Sequence, residues 1–189
     1  MSDNEYWYNY YRQKYNDACT SVRNCENNIY NLKCQRSQTV NIINQLNTDI
    51  KNTSDAISDI TNVINCEENL NNDLTDVINK TNDASVNFSG MVSSSDVNIK
   101  SLNDVYGNEL TTTKNTLSNL MSTIKSNKTS LEQKLLSYQT SLNKENNNLG
   151  SVDNSIRTEN SNLGYWRQQK TNCYYNMEYY RKKMQLEGY

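Results

Sequence analysis

The chain has 189 residues, of which 34 are Asn, with no Pro, no His, one Phe and a formal charge of −2. Apolar residues make up 34%, short of the roughly 45–50% of ordinary domains, so the chain can bury a narrow apolar seam but not a thick core. There is no basic stripe of the kind that binds nucleic acid, no apolar run near the roughly 20 residues that cross a membrane, and no His-based, metal-ligating or phosphate-loop motif, so an enzyme, a cofactor and a bound metal are not expected.

The opening residues, MSDNEYWYNYYRQ, carry Ser2-Asp3-Asn4-Glu5, an S-x-x-E capping box that starts a helix. They show no basic stretch followed by an apolar one, so no cleaved secretory signal is expected. The protein is expected in the cytoplasm, or to leave it by a route that reads no such signal.

Apolar spacing of 3 and 4 then takes over. In the first arm, Tyr15, Val22, Ile29, Arg36, Ile43, Ile50, Ile57 and Ile64 recur every seventh residue. Ala18, Cys25, Leu32, Thr39, Leu46, Thr53, Ile60 and Glu67 follow three behind. Beyond Glu67 the pattern predicts a shift of register onto Leu70, Leu74, Val77, Thr81, Ala84 and Phe88. The stretch NFSGMVSSSD, Asn87 to Asp96, gathers Phe, Gly and Ser and reads as a turn, with N-caps for a second helix from Ser93 to Asp96.

The second arm opens with Leu110, Leu117, Ile124 and Leu131 at spacings of seven. A four-residue skip, read as a stutter, leads to Leu135, Leu142, Leu149, Ile156, Leu163, Lys170, Met177 and Met184. No Pro interrupts either arm; Gly107, Gly150 and Gly164 each weaken a helix by about 1 kcal/mol relative to Ala. Arg36, Glu67, Asn127, Lys134, Glu145, Glu159 and Lys170 fall at expected seam positions, where they either fix register for pairing at a cost in stability or form wet gaps in a weak coil.

The aromatic residues decide how the arms meet. Six of the 14 Tyr lie in the first 30 residues and six in the last 25, accompanied by Trp7 and Trp166. Folding the chain at its centre lays these clusters side by side, with Trp7, Tyr11, Tyr15, Trp166 and Tyr180 as the main elements of an aromatic clasp. Tyr6, Tyr8, Tyr10, Tyr174, Tyr175 and Tyr179 lie around them. The expected fold is therefore all-α, one long antiparallel helical hairpin or coiled coil whose arms meet at an aromatic-rich end. Arm one covers about 3–86, the turn about 87–96 and arm two about 97–186 of a single domain, 1–189. Arms of about eighty residues would reach about 120 Å and bury one stripe each, so they should bend back into a bundle or pair with another chain. Cys19, Cys25, Cys34, Cys66 and Cys173 read as reduced thiols, although the hairpin would bring Cys19 near Cys173.

A helical hairpin without a signal peptide and with aromatic-x-Gly in its turn resembles the WXG-type family of type VII secretion substrates. The turn reads Phe88-Ser89-Gly90 where the family carries Trp-x-Gly. Such Phe-x-Gly variants are similar to the helical partners of LXG toxins in Gram-positive bacteria. The resemblance extends to Tyr174-Tyr175-Asn176-Met177-Glu178, in which Tyr174 and Glu178 match the family's Tyr-x-x-x-Asp/Glu export motif. It implies a non-enzymatic interaction module, secreted or guiding a toxin to export. Its partner would be a helical protein, either the leader domain of an LXG toxin or a WXG-like protein, or a second copy of itself. A structural coiled coil, as in a scaffold, surface or phage component, is the other reading.

Overall fold

The computed structural model describes residues 3–91 and 99–186, the side chains of 85, 87–91 and 99–106 excepted. Two helices, α1 (Asp3–Met91) and α2 (Ile99–Leu186), pack against each other as an all-α hairpin. Ser2 of the capping box and the caps from Ser93 to Asp96 lie outside the described residues. So do residues 92–96 of the expected turn, whereas residues 87–91 belong to α1, which continues to Met91, and α2 begins at Ile99. The backbone at Phe88 and Gly90 is thus helical, further along than the expected end of the first arm at about 86.

Helices of 89 and 88 residues are held here in a sequence of mediocre helix formers. Ser and Thr ordinarily compete with the helix, but many of their hydroxyls turn back along it. Thr61 donates to the Ile57 carbonyl at 2.7 Å, Thr116 to that of Thr112 at 2.9 Å and Ser155 to that of Ser151 at 3.1 Å. The polar groups are thereby satisfied inside the helix they would otherwise disrupt, and α2 runs unbroken through Gly107, Gly150 and Gly164.

The hairpin divides into two compact units, one of Met1–Leu46 with Ser141–Tyr189 and one of Asn47–Thr140. In the first, Cys25, Ile29 and Leu163 form a buried cluster against which Val22 and Trp166 pack, and Ala18 is buried close by in sequence. Arg36 leaves its expected seam place for the surface, where its Nε donates to Asp153 Oδ1 at 2.7 Å. Arg167 Nη2 reaches Glu26 Oε1 at 2.9 Å. Both pairs join the two helices; they are solvated and contribute at most about 1 kcal/mol each.

In the second unit the seam differs from the expected one in two ways. The register of α1 does not shift after Glu67. Asn71, Leu74, Ile78 and Thr81 turn inward, continuing the heptads of Ile57, Ile60, Ile64 and Glu67, while Leu70 is 54% exposed, Val77 49% and Ala84 exposed. Nor does α2 stutter. Its inward positions alternate by 3 and 4 without interruption from Gly107 through Leu110, Lys114, Leu117, Met121, Ile124, Lys128, Leu131 and Leu135 to Tyr138.

What changes along α2 is the seat of the leucines. Leu110 to Leu131 hold one seam position and Leu135 to Leu163 the other. Asn127 and Lys134 are consequently exposed, and Lys128 and Leu135 take the places expected for them. The reason is mutual: knobs fit holes only while both helices keep one period. A shift in one helix that the other does not match would cost more packing than one Asn placed in the seam.

Candidate interaction surfaces

Among the described residues of the first unit, three aromatic ring contacts cross between the helices. Tyr180 stacks on Trp7 with centroids 6.3 Å apart and on Tyr11 at 5.8 Å, while Tyr15 meets Tyr174 at 6.0 Å. Lys170 lies over the Tyr15 ring at 5.9 Å, so this polar seam residue has an aromatic partner. Trp166 packs on the Cys25–Ile29–Leu163 cluster.

Much of the remaining aromatic surface faces solvent. Tyr6, Trp7, Tyr10 and Tyr174 are exposed, and Tyr175 and Tyr179 are 68% and 52% exposed. The last two were expected beside the first arm. They sit instead on the side of α2 away from its seam, because the inward series runs Cys173, Met177, Tyr180, Met184. Tyr175 touches Tyr174, and Tyr179 touches Tyr180 and Lys183, all on α2.

Tyr174 and Glu178 lie one helical turn apart on one face. Tyr174 is exposed, and Glu178 is half-buried with its carboxylate held by Arg181 Nη2 at 2.9 Å. Phe88 and Gly90 belong to the second unit, and the Phe88 side chain falls outside the described residues. Trp, Tyr and Arg are the residue types that dominate protein-binding hot spots, and this end of the chain concentrates all three.

The cysteines are free thiols. Burial pushes the Cys25 thiol up, and its hydrogen bond to Glu159 adds to the shift; this gives a second polar seam residue a partner across the helices. Burial likewise raises Cys173. The Tyr15 hydroxyl is raised chiefly by its hydrogen bond with Cys19. A raised thiol is a weaker source of thiolate. Among the described residues no three potential ligands gather to hold a metal ion, and no helix is long and apolar enough to cross a membrane.

Two kinds of groove flank the seams. In the first unit an open trough of about 970 Å³ has amides as half of its lining, namely Asn28, Asn31, Gln35, Asn146, Asn147 and Asn154. In the second unit a groove of about 260 Å³ is almost wholly apolar, between Val63 and Leu70 of α1 and Leu117, Leu120 and Ile124 of α2. A polar groove of about 470 Å³ contains Glu68, Lys125 and Asn71. There Lys125 Nζ sits 3.3 Å from Glu68 Oε1, while the buried Asn71 Oδ1 has no hydrogen-bond partner.

Leu70, expected in the seam, instead lines the apolar groove, and Val77, expected there too, is half-exposed. The signal was present as heptad-spaced Val63, Leu70 and Val77 running parallel to the Ile57–Ile64 seam. No family model, curated protein or solved structure matches the chain.

Proposed function

We propose that this chain is a non-enzymatic interaction module, a WXG-like substrate of type VII secretion or the targeting partner of an LXG toxin, acting through its aromatic end. The observation that carries the reading is Tyr174, exposed beside the Tyr15 ring, with Glu178 one turn on and fixed by Arg181. A secretion component that recognises Tyr-x-x-x-Glu on a helix meets both side chains on one face, with the Glu178 carboxylate already oriented. The helical toxin leader would be the docking partner, and Phe88 and Gly90 would act as the family's second signal.

The test is export and co-purification in a host carrying a type VII system and an LXG toxin. Tyr174→Ala and Glu178→Ala should abolish export while leaving far-UV circular dichroism unchanged, and Phe88→Ala should reduce recovery of the toxin's N-terminal domain. Undiminished export of both tail variants would refute the export role. The unbroken heptads along both helices favour a second reading, a structural coiled-coil scaffold, in which none of these variants alters export.

A further inference from the structure

The α1 stretch of the second unit carries more apolar surface than a two-helix seam uses. Beside the seam, Ala56, Val63, Leu70, Val77 and Ala84 follow one another at spacings of seven. The equivalent places in the first unit hold Lys14, Ser21, Asn28 and Gln35, with Trp7 and Ile42 as the apolar exceptions; in the second unit Asp49 precedes the apolar run. In a two-stranded coil these flanking positions ordinarily carry charge; a helix that fills them with apolar residues has the wider face that packs in a larger bundle. Val63, Leu70 and Val77 remain half-exposed, and Leu120 of α2 stands exposed on the opposite wall of the groove. The unit is also poorly cored: among its described residues, Thr53, Ile64 and Met121 are the buried ones.

Charge selects the occupant. From residue 47 to residue 91, α1 carries eight Asp and Glu against Lys51 and Lys80. The second unit as a whole has 12 acids and 7 bases, the first 9 acids and 12 bases; these balances of −5 and +3 add to the chain's −2. A helix suited to this groove needs an apolar face with basic neighbours. The chain supplies one on the outer side of α2 in the first unit, where Tyr175, Tyr179, Lys182 and Leu186 follow at spacings of four, three and four beside Arg181 and Lys183. Tyr175, Tyr179 and Leu186 are exposed, and among the described residues the ring contacts of Tyr175 and Tyr179 are with residues of α2. Helices in apolar grooves are read through anchors at this spacing.

We infer that the Tyr175–Tyr179–Leu186 face of one copy of this chain docks in the Val63–Leu70–Leu120 groove of a second copy. The contact is heterologous: two different surfaces meet, and each copy keeps one of each kind. Opposite net charge on the two units brings them together, and the aromatic and aliphatic side chains provide the buried area. This goes beyond the secretion reading, which uses the Tyr174–Glu178 face, and its outcome is independent of export.

The test uses the full chain and measures mass by sedimentation or light scattering across a concentration series. A groove variant combines Leu70→Lys with Leu120→Lys, and a face variant combines Tyr175→Ser with Tyr179→Ser. All four residues are exposed, so far-UV circular dichroism should be unchanged. The wild-type chain should self-associate, and each variant alone should associate at least about tenfold more weakly, a change of about 1.4 kcal/mol. An equimolar mixture of the two variants should recover a one-to-one pair, since the groove variant retains its face and the face variant its groove. Raising salt from about 0.1 M to about 1 M, which shortens the screening length from about 10 Å to about 3 Å, should weaken the wild-type contact. A wild-type chain monomeric throughout overturns the proposal. So does a face variant that still associates fully, which would mean groove-to-groove pairing, and so does a mixture that fails to pair. Loss of a foreign helical partner in the groove variant with its self-association intact would assign the groove to that partner and also overturn it.

Discussion

Replacing Asn71 by Leu tests the register of the second unit with a sign as well as a size. In the continuous register, Asn71 occupies a seam position between Ile64 and Ile78 and its Oδ1 is buried without a partner. Three contributions then favour Leu. Removing an unsatisfied buried acceptor recovers about 1–3 kcal/mol. Half-burying a Leu side chain, worth about 1.5–3 kcal/mol when complete, adds about 1 kcal/mol. Helix propensity adds a few tenths of a kcal/mol. Asn71→Leu should therefore stabilise the chain by about 2–4 kcal/mol, or raise Tm by about 4–16 °C for a protein of this size.

Asn72→Leu is the control. Asn72 is exposed on the same helical turn, so its substitution gains propensity alone and should stay within about 0.5 kcal/mol. Thermal unfolding followed by far-UV circular dichroism compares the two. If Asn71→Leu gains no more than Asn72→Leu, the continuous register is wrong, and the shifted register with Leu70 and Val77 in the seam regains its standing.

Further outcomes are expected. A Cβ added at Gly150 or Gly164 meets nothing within 4 Å, so each Gly→Ala change should stabilise by about 1 kcal/mol, read as a higher urea midpoint at unchanged slope; a loss would mean that one of these positions is occupied by a close neighbour. Tyr180→Ala removes two cross-helix stacks, on Trp7 and Tyr11, and should cost about 1–3 kcal/mol beyond the lost area, whereas Tyr175→Ala should change monomer stability little.

The Cys25 and Cys173 thiols are raised by burial from their ordinary value of 9.0. The unfolded chain therefore ionises first, stability is intact below that value, and it falls as pH rises above it. Denaturation against pH should show this alkaline loss, with a smaller slope in Cys25→Ala. In the native protein a thiol reagent should modify exposed Cys34 and Cys66 first and Cys25 last.

The hairpin was legible from Tyr and Trp counts at the two ends, since two aromatic clusters so far apart in sequence gain contact only if the chain doubles back. Tyr11, Tyr15 and Tyr180 were found by the same argument. The Tyr175 and Tyr179 side chains were misplaced because density of aromatics along a sequence does not say which face of a helix each one takes. The apolar groove was missed for a related reason. Leu70 and Val77 are more hydrophobic than Asn71 and Ile78 taken together, so a reading that follows apolar residues alone moves the seam onto them.

Period and composition are properties of one strand, and they determined two long helices, a narrow seam and an antiparallel return. The phase of a seam belongs to two strands at once. Only the packing of α1 on α2 decided that the heptads run through Asn71 rather than around it, because each helix must present its knobs at the period of its partner's holes. That choice leaves Val63, Leu70 and Val77 in the open as a second apolar face.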